Sequence, residues 1–320
     1  MEKDLRIVFM GTPDFAVPSL AKLVENGYKV VGVVTMPDKA IGRHHDVLQS
    51  SPVKQYAVAH NIPVLQPEKL KDEAFLEALR NLRADLQIVV AFRMLPQVVW
   101  GMPRLGTFNL HAALLPQYRG AAPINWAIIN GDKETGITTF FLDENIDTGR
   151  IILQERIPIG EEDCLEDIHD RMMIQGASLV QKTVDLIAEG KAEATDQEQF
   201  FTNEPLRPAP KIFKETCEIK WTNLEQVYNF VRGLSPYPAA WTTLHSPEGK
   251  EQTMKVFRTR KEKTLHDIKS PTLQTDGKTY LRVALPDGYL YLTEVQVSGK
   301  KRMAIADFLR GAHLEGWTLL

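Results

Sequence analysis

Three polar residues raise the first chemical question. Asn109 and His111 stand two positions apart, and Asp147 lies 38 positions beyond Asn109. Residues 107–110 have the look of a short strand, with Phe108 and Leu110 on one face and Asn109 and His111 on the other. Alternation thus sets an amide and an imidazole side by side at a strand end. Leu115-Pro116 stops the strand, and Tyr118-Arg119-Gly120 reads as an exposed turn. Asp147 belongs to a second polar stretch, residues 143–149, which follows a strand-like run at 137–142 and is closed by Gly149. Asn, His and Asp converging at strand ends suit transfer of an acyl group to an amine. The imidazole moves protons, the amide holds an oxyanion, and the carboxylate positions and polarises the imidazole. On residue types alone, such a triplet is also compatible with ordinary core or turn polar groups.

The elements that must position these residues follow a regular alternation. Residues 5–10 form a continuous apolar run ended by Gly11, which suits a buried parallel strand. Residues 18–25 have helical spacing and end at Gly27, and 28–35 is a second buried strand. Ser51-Pro52 starts a further helix, 70–82 is another, and 85–91 is a strand. The pattern predicts an α/β fold with an open, doubly wound, mostly parallel sheet. Ligands on such sheets bind beyond the C-terminal strand ends, where Asn109, His111 and the segment 92–96 fall. Gly11-Thr12-Pro13 lacks the further glycines of a dinucleotide fingerprint and reads as a tight turn.

A long amphipathic helix is predicted over 165–189, ended by Gly190. Residues 191–210 are polar, hold Pro205, Pro208 and Pro210, and read as a linker between a catalytic domain, 1–190, and a second domain, 211–320. In the latter, a helix at 222–233 capped by Thr222 or Asn223 precedes strand-like runs at 240–244, 254–259, 280–285 and 289–297. Pro286-Asp287-Gly288 marks a hairpin, and the run of short strands predicts a small β-barrel.

At 320 residues with 43% hydrophobic content, two cored domains are expected. Two cysteines, Cys164 and Cys217, supply no disulfide framework and favour a reducing compartment. No apolar run approaches the ~20 residues needed to span a bilayer, and charges at positions 2–4 argue against a signal peptide. A soluble, cytoplasmic protein with no membrane partner is expected. Net charge is uneven: residues 209–320 carry 17 Lys+Arg against 12 Asp+Glu, leaving 21 against 29 in residues 1–208. A basic second domain of net +5 beside a first of net −8 hints at a polyanionic partner.

Asn109-x-His111, the following Leu114-Leu115-Pro116-x-Tyr118-Arg119-Gly120 loop and Asp147 together resemble the formyltransferases that use 10-formyltetrahydrofolate. The run Phe9 to Pro18, the stretch Ser51-Pro52-Val53-Lys54, and the C-terminal stretches 299–303 and 307–311 are similar to the branch acting on methionyl-tRNA. The resemblance covers nearly the whole chain. It implies a Rossmann-like first domain and a second domain like an oligonucleotide-binding (OB-like) barrel. It further implies transfer of a formyl group from 10-formyltetrahydrofolate, the co-substrate, to the methionine amine of initiator methionyl-tRNA. Asn109, His111 and Asp147 would be catalytic. Arg93, Met94, Leu95 and Ala113, Leu114, Leu115, Pro116 would line the folate side. Two departures stand out: the segment 91–96 is one residue shorter than the usual pattern, and Ala113 replaces a common serine.

For tRNA, Lys39 and Arg43 in the loop 36–50 and Lys211, Lys214, Lys300, Lys301 and Arg302 in the linker and barrel are the candidates. His44-His45-Asp46 replaces a Lys-rich run of relatives, which would make the loop's charge depend on pH. With no further ligands at fitting spacing, this pair assigns no metal. A monomer is expected. The alternatives are a formyltransferase acting on a small amine such as an amino sugar nucleotide, and a non-enzymatic nucleic-acid-binding protein. The intact Asn109, His111 and Asp147 disfavour the latter.

Overall fold

The computed structural model describes residues 4–41 and 47–319. The chain forms two compact units: Met1–Gly120, Gly136–Ile157 and His169–Pro208 make the first, and Ala121–Thr135, Pro158–Ile168 and Ala209–Leu320 the second.

The first unit is built on a seven-stranded sheet. Its spatial order is Val64–Leu65, Lys29–Val34, Arg6–Gly11, Leu86–Val90, Thr107–His111, Glu134–Phe141 and Ile151–Pro158. The first five are parallel, and Glu134–Phe141 runs antiparallel to Thr107–His111. Strand order reverses between Arg6–Gly11 and Leu86–Val90, the point at which an open α/β sheet leaves a crevice at its C-terminal edge. Gly11 is required there, because a Cβ would lie 2.7 Å from the Val90 carbonyl oxygen and 2.8 Å from the Ala16 Cβ. The expected doubly wound α/β architecture is what forms.

Local signals explain the helices that cover this sheet. Pro52–Ala59 begins where the Ser51 hydroxyl accepts from the Lys54 amide at 3.0 Å, with Pro52 in the first turn. In Glu73–Asn81, the spacing of Phe75, Leu76 and Leu79 puts all three on one face. They pack with Val8, Met10, Val34 and Val89, where truncating one leucine costs about 2–5 kcal/mol. The edge strand Ile151–Pro158 was not foreseen, since Gln154, Glu155 and Arg156 hide its periodicity. The short helix Gln97–Trp100 was not foreseen either. The helix Leu165–Ala188 matches its expectation closely, ending before Gly190.

The second unit is an antiparallel sheet ordered Thr272–Thr275, Leu281–Leu285, Gly288–Val297, Glu251–Lys263, Ala240–His245 and Thr318–Leu319. Met303–Ala304 also pairs with Gly288–Val297. The outermost strands approach each other, so the sheet curls into a nearly closed barrel. Helix Leu224–Leu234 is capped by Asn223, whose side-chain oxygen accepts from the Gln226 amide at 3.0 Å. It buries Val227, Val231 and Leu234 against Met254, Leu281 and Leu292. Among the described residues, no helix is long and apolar enough to cross a membrane.

Candidate active site

Asn109 and His111 occupy the strand Thr107–His111, with Phe108 and Leu110 buried on its other face. Asn109 stands in register with Val89 on one side and Phe140 on the other, and His111 with Thr138. The His111 ring is 6% exposed, and its Nε2 lies 2.8 Å from the Tyr118 carbonyl oxygen. A carbonyl can only accept, so Nε2 carries the hydrogen and Nδ1 of the neutral ring carries the lone pair. Nδ1 faces the Asp147 carboxylate across 3.8 Å, too far for a direct hydrogen bond but close enough for charge to act. The Tyr118 carbonyl, rather than Asp147, therefore orients the ring. Phe140 meets the imidazole edge-on at 6.4 Å. The Asn109 Oδ1 is buried and has no hydrogen-bond partner among the described residues.

Asp147 sits in the left-handed backbone region, with φ 56°, and so does Tyr118, with φ 59°. Such conformations cost about 1–3 kcal/mol and persist where the surroundings over-determine them. Here the Gly120 amide donates to the Asp147 Oδ2 at 2.9 Å. The buried Gln197 donates its amide to the carbonyls of both Asp147 and Gly149 at 2.8 Å. Gly149 permits the tight return of this loop, because a Cβ would fall 1.6 Å from the Phe141 carbonyl oxygen. The turn expected to be exposed is not: Tyr118 is 3% exposed, with the Arg207 guanidinium over its ring at 4.8 Å.

The loop between His111 and Tyr118 is tied to the sheet by one hydroxyl. Thr138 donates to the Ala113 carbonyl at 2.7 Å and accepts from the Leu115 amide at 3.2 Å. Gln154 adds bonds to the Leu115 carbonyl at 2.8 Å and to the Thr138 hydroxyl at 3.0 Å. The side chains of Ala113, Leu115, Pro116 and Leu95 are buried, so those residues offer a ligand backbone groups only. Leu114 is half-buried and Met94 is 65% exposed. Arg93 is turned to its own chain: it donates to the carbonyls of Glu68, at 2.8 Å, and Pro67, and burial pushes its guanidinium below the ordinary value.

The candidate tRNA residues fall in both units. Lys39 begins the exposed strand Lys39–Ile41, which pairs antiparallel with Val47–Gln49. Arg43, His44 and His45 lie outside the described residues. Lys211, Lys214, Lys300 and Lys301 are exposed, Lys211 with its ammonium 5.3 Å from the centre of the Phe213 ring. Arg302 differs from these, since Glu294 grips its guanidinium bidentately at 2.7 and 2.9 Å and the Phe257 ring lies beneath it. Its charge is already neutralised. Among the described residues, no group of three or more His, Cys, Asp or Glu side chains could hold a metal ion.

Reasoning from sequence missed Gln197, Thr138 and Gln154. Nothing in their neighbourhoods distinguishes them from surface polar residues, and only the folded contacts reveal them.

Comparison with known proteins identifies the family. The formyl transferase family matches residues 5–188, and the formyl transferase C-terminal domain matches residues 211–313. The methionyl-tRNA formyltransferase of Parabacteroides distasonis is 63% identical, over 97% of this chain and 96% of that protein. An N-formyltransferase from Helicobacter canadensis, solved with folinic acid and dTDP-3-aminofucose, shares the fold at 20% identity and a TM-score of 0.65, covering 90% of this chain and 98% of that one. HypX from Aquifex aeolicus shares it at 19% identity and a TM-score of 0.64, over 98% of this chain; the chain spans about half of HypX, 49%. On sequence, both domains and fold, the chain belongs to the methionyl-tRNA formyltransferase family.

Proposed function

We propose that this protein transfers the formyl group of 10-formyltetrahydrofolate to the methionine amine of initiator methionyl-tRNA, with Asn109, His111 and Asp147 carrying the chemistry. The observation that supports this reading most is the placement, on one face of one strand, of a half-buried Asn109 whose Oδ1 is buried without a partner among the described residues, beside an imidazole with only Nε2 hydrogen-bonded. Attack of an amine on the formyl carbonyl places negative charge on its oxygen. The Asn109 amide NH2 would donate to that oxygen, and losing such a donor costs about 3–4 kcal/mol of barrier. The Tyr118 carbonyl keeps the hydrogen on His111 Nε2, so Nδ1 would take the proton of the attacking amine. Asp147, 3.8 Å away, would stabilise the imidazolium while it holds that proton and until it passes it to the leaving nitrogen.

The folate donor fits against residues 91–95 and 113–116 through backbone groups, with Met94 and Leu114 as the side chains in reach. Lys39, Arg43, Lys211, Lys214, Lys300 and Lys301 would meet tRNA phosphates, with Arg302 contributing shape rather than free charge. The test is a formylation assay with 10-formyltetrahydrofolate and, in separate reactions, charged initiator tRNA, free methionine and an amino sugar nucleotide. Product with the charged tRNA alone is expected. Preference for the amino sugar would overturn the assignment.

A further inference from the structure

We infer that Gln197 is a positioning residue for the reaction, the clamp that holds Asp147 opposite His111. This rests on the reading of Asn109, His111 and Asp147 given above. Gln197 lies in the segment 189–210, which neither family match covers, and within residues 191–210, whose sequence reads as a linker. Yet its side chain is only 3% exposed, unusual for a glutamine.

All of its hydrogen-bonding ends are engaged. Its oxygen accepts from Arg119 Nε at 3.1 Å and Nη2 at 2.7 Å, and its NH2 donates to the carbonyls of Asp147 and Gly149. A guanidinium can only donate and a carbonyl can only accept, so the amide can be turned only one way. The partners are not random. Arg119 lies between Tyr118, whose carbonyl holds His111 Nε2, and Gly120, whose amide holds the Asp147 carboxylate. One amide therefore ties the loop that orients the imidazole to the loop that carries the carboxylate.

The strap around Gln197 is anchored at both ends. Thr195 exchanges two backbone bonds of 2.8 Å with Ile151. Arg207 accepts from the Tyr118 amide at 2.7 Å and donates from its own amide to the Gln117 side chain at 2.8 Å. No other side chain of similar size reproduces the bonds. Glutamate would aim a carboxylate oxygen at two carbonyl oxygens, and methionine would fill the space without bonding.

The experiment compares Gln197→Met and Asp147→Asn with wild type, using 10-formyltetrahydrofolate and charged initiator tRNA. Since displacement of a reacting group by about 1 Å can cost on the order of 100-fold, kcat of Gln197→Met should fall about 10- to 100-fold. Its KM for tRNA and for the folate donor should stay within about threefold, because neither substrate is bound by this amide. Because one residue acts through the other, adding Gln197→Met to Asp147→Asn should slow the enzyme little further. A Gln197→Met enzyme with wild-type kcat, beside an impaired Asp147→Asn, overturns the positioning role and leaves the catalytic reading intact. Wild-type kcat in Asp147→Asn overturns the catalytic reading itself. Should Gln197→Met not fold, Gln197→Asn, shorter by one methylene, is judged by the same outcomes.

Discussion

The Nε2 of His111 donates to the Tyr118 carbonyl at 2.8 Å, so the imidazole is held by backbone and turns Nδ1 toward the Asp147 carboxylate, 3.8 Å away. Replacing His111 with alanine removes the proposed proton acceptor and donor together. Its kcat should fall by about 10²- to 10⁴-fold, the usual scale for loss of a general acid–base. Single-turnover formylation of charged tRNA by the folded variant measures this, and a rate near wild type would rule out the assignment.

Asn109→Ala removes the donor proposed for the oxyanion. The expected loss is about 10²- to 10³-fold in kcat, with little change in KM for either substrate. Because the Asn109 Oδ1 has no partner to leave stranded among the described residues, thermal stability should hold or rise slightly. A large fall in melting temperature would instead mark Asn109 as structural.

Thr138→Val conserves shape but strands the Ala113 carbonyl and the Leu115 amide. Each buried group left unpaired costs about 1–3 kcal/mol. Denaturant unfolding should show a loss of about 2–6 kcal/mol for the two groups together, and the loosened 113–116 loop should raise KM for the folate donor more than for tRNA. Equal effects on both would sever this loop from the donor site.

Among the basic residues, Lys211, Lys214, Lys300 and Lys301 and the paired Arg302 should behave differently. Reversing the charge of two or three of these lysines should raise KM for tRNA, flatten its salt dependence and spare the folate KM. Unchanged tRNA kinetics would place RNA binding elsewhere.

Glu294 carries a pH signature. The hydrogen bond and charge of Arg302 hold its carboxyl below the ordinary 4.5. A folded-state value below the unfolded one means the pair stabilises at pH above about 4.5, and that stabilisation is lost as pH falls through the lowered value. The stability gap between wild type and Glu294→Gln should therefore be full at pH 7 and shrink below pH 4.5, as followed by urea unfolding. A gap that is constant from pH 7 to pH 3 would remove the ion pair as its cause.

Much of this protein is legible in its sequence. Apolar runs ended by glycine place the parallel strands, because a strand buried on both faces must be apolar throughout. Ser51, Asn223 and Gly190 mark helix ends through backbone groups that need local partners, so their signals are local. The alternation of Phe108, Asn109, Leu110 and His111 sets the amide and imidazole on one face for the same reason. Contacts between distant segments were not legible. The strand Ile151–Pro158 lies at a sheet edge, where polar residues are tolerated and periodicity fades. The pairing of Arg302 with Glu294 engages a candidate phosphate ligand with a carboxylate 8 positions away. Asp147 and His111 are 36 positions apart and Gln197 lies 50 beyond Asp147, so no spacing rule links them. Only the tertiary structure, by closing those loops onto one buried amide, decides which carboxylate faces the imidazole and which carbonyl orients it.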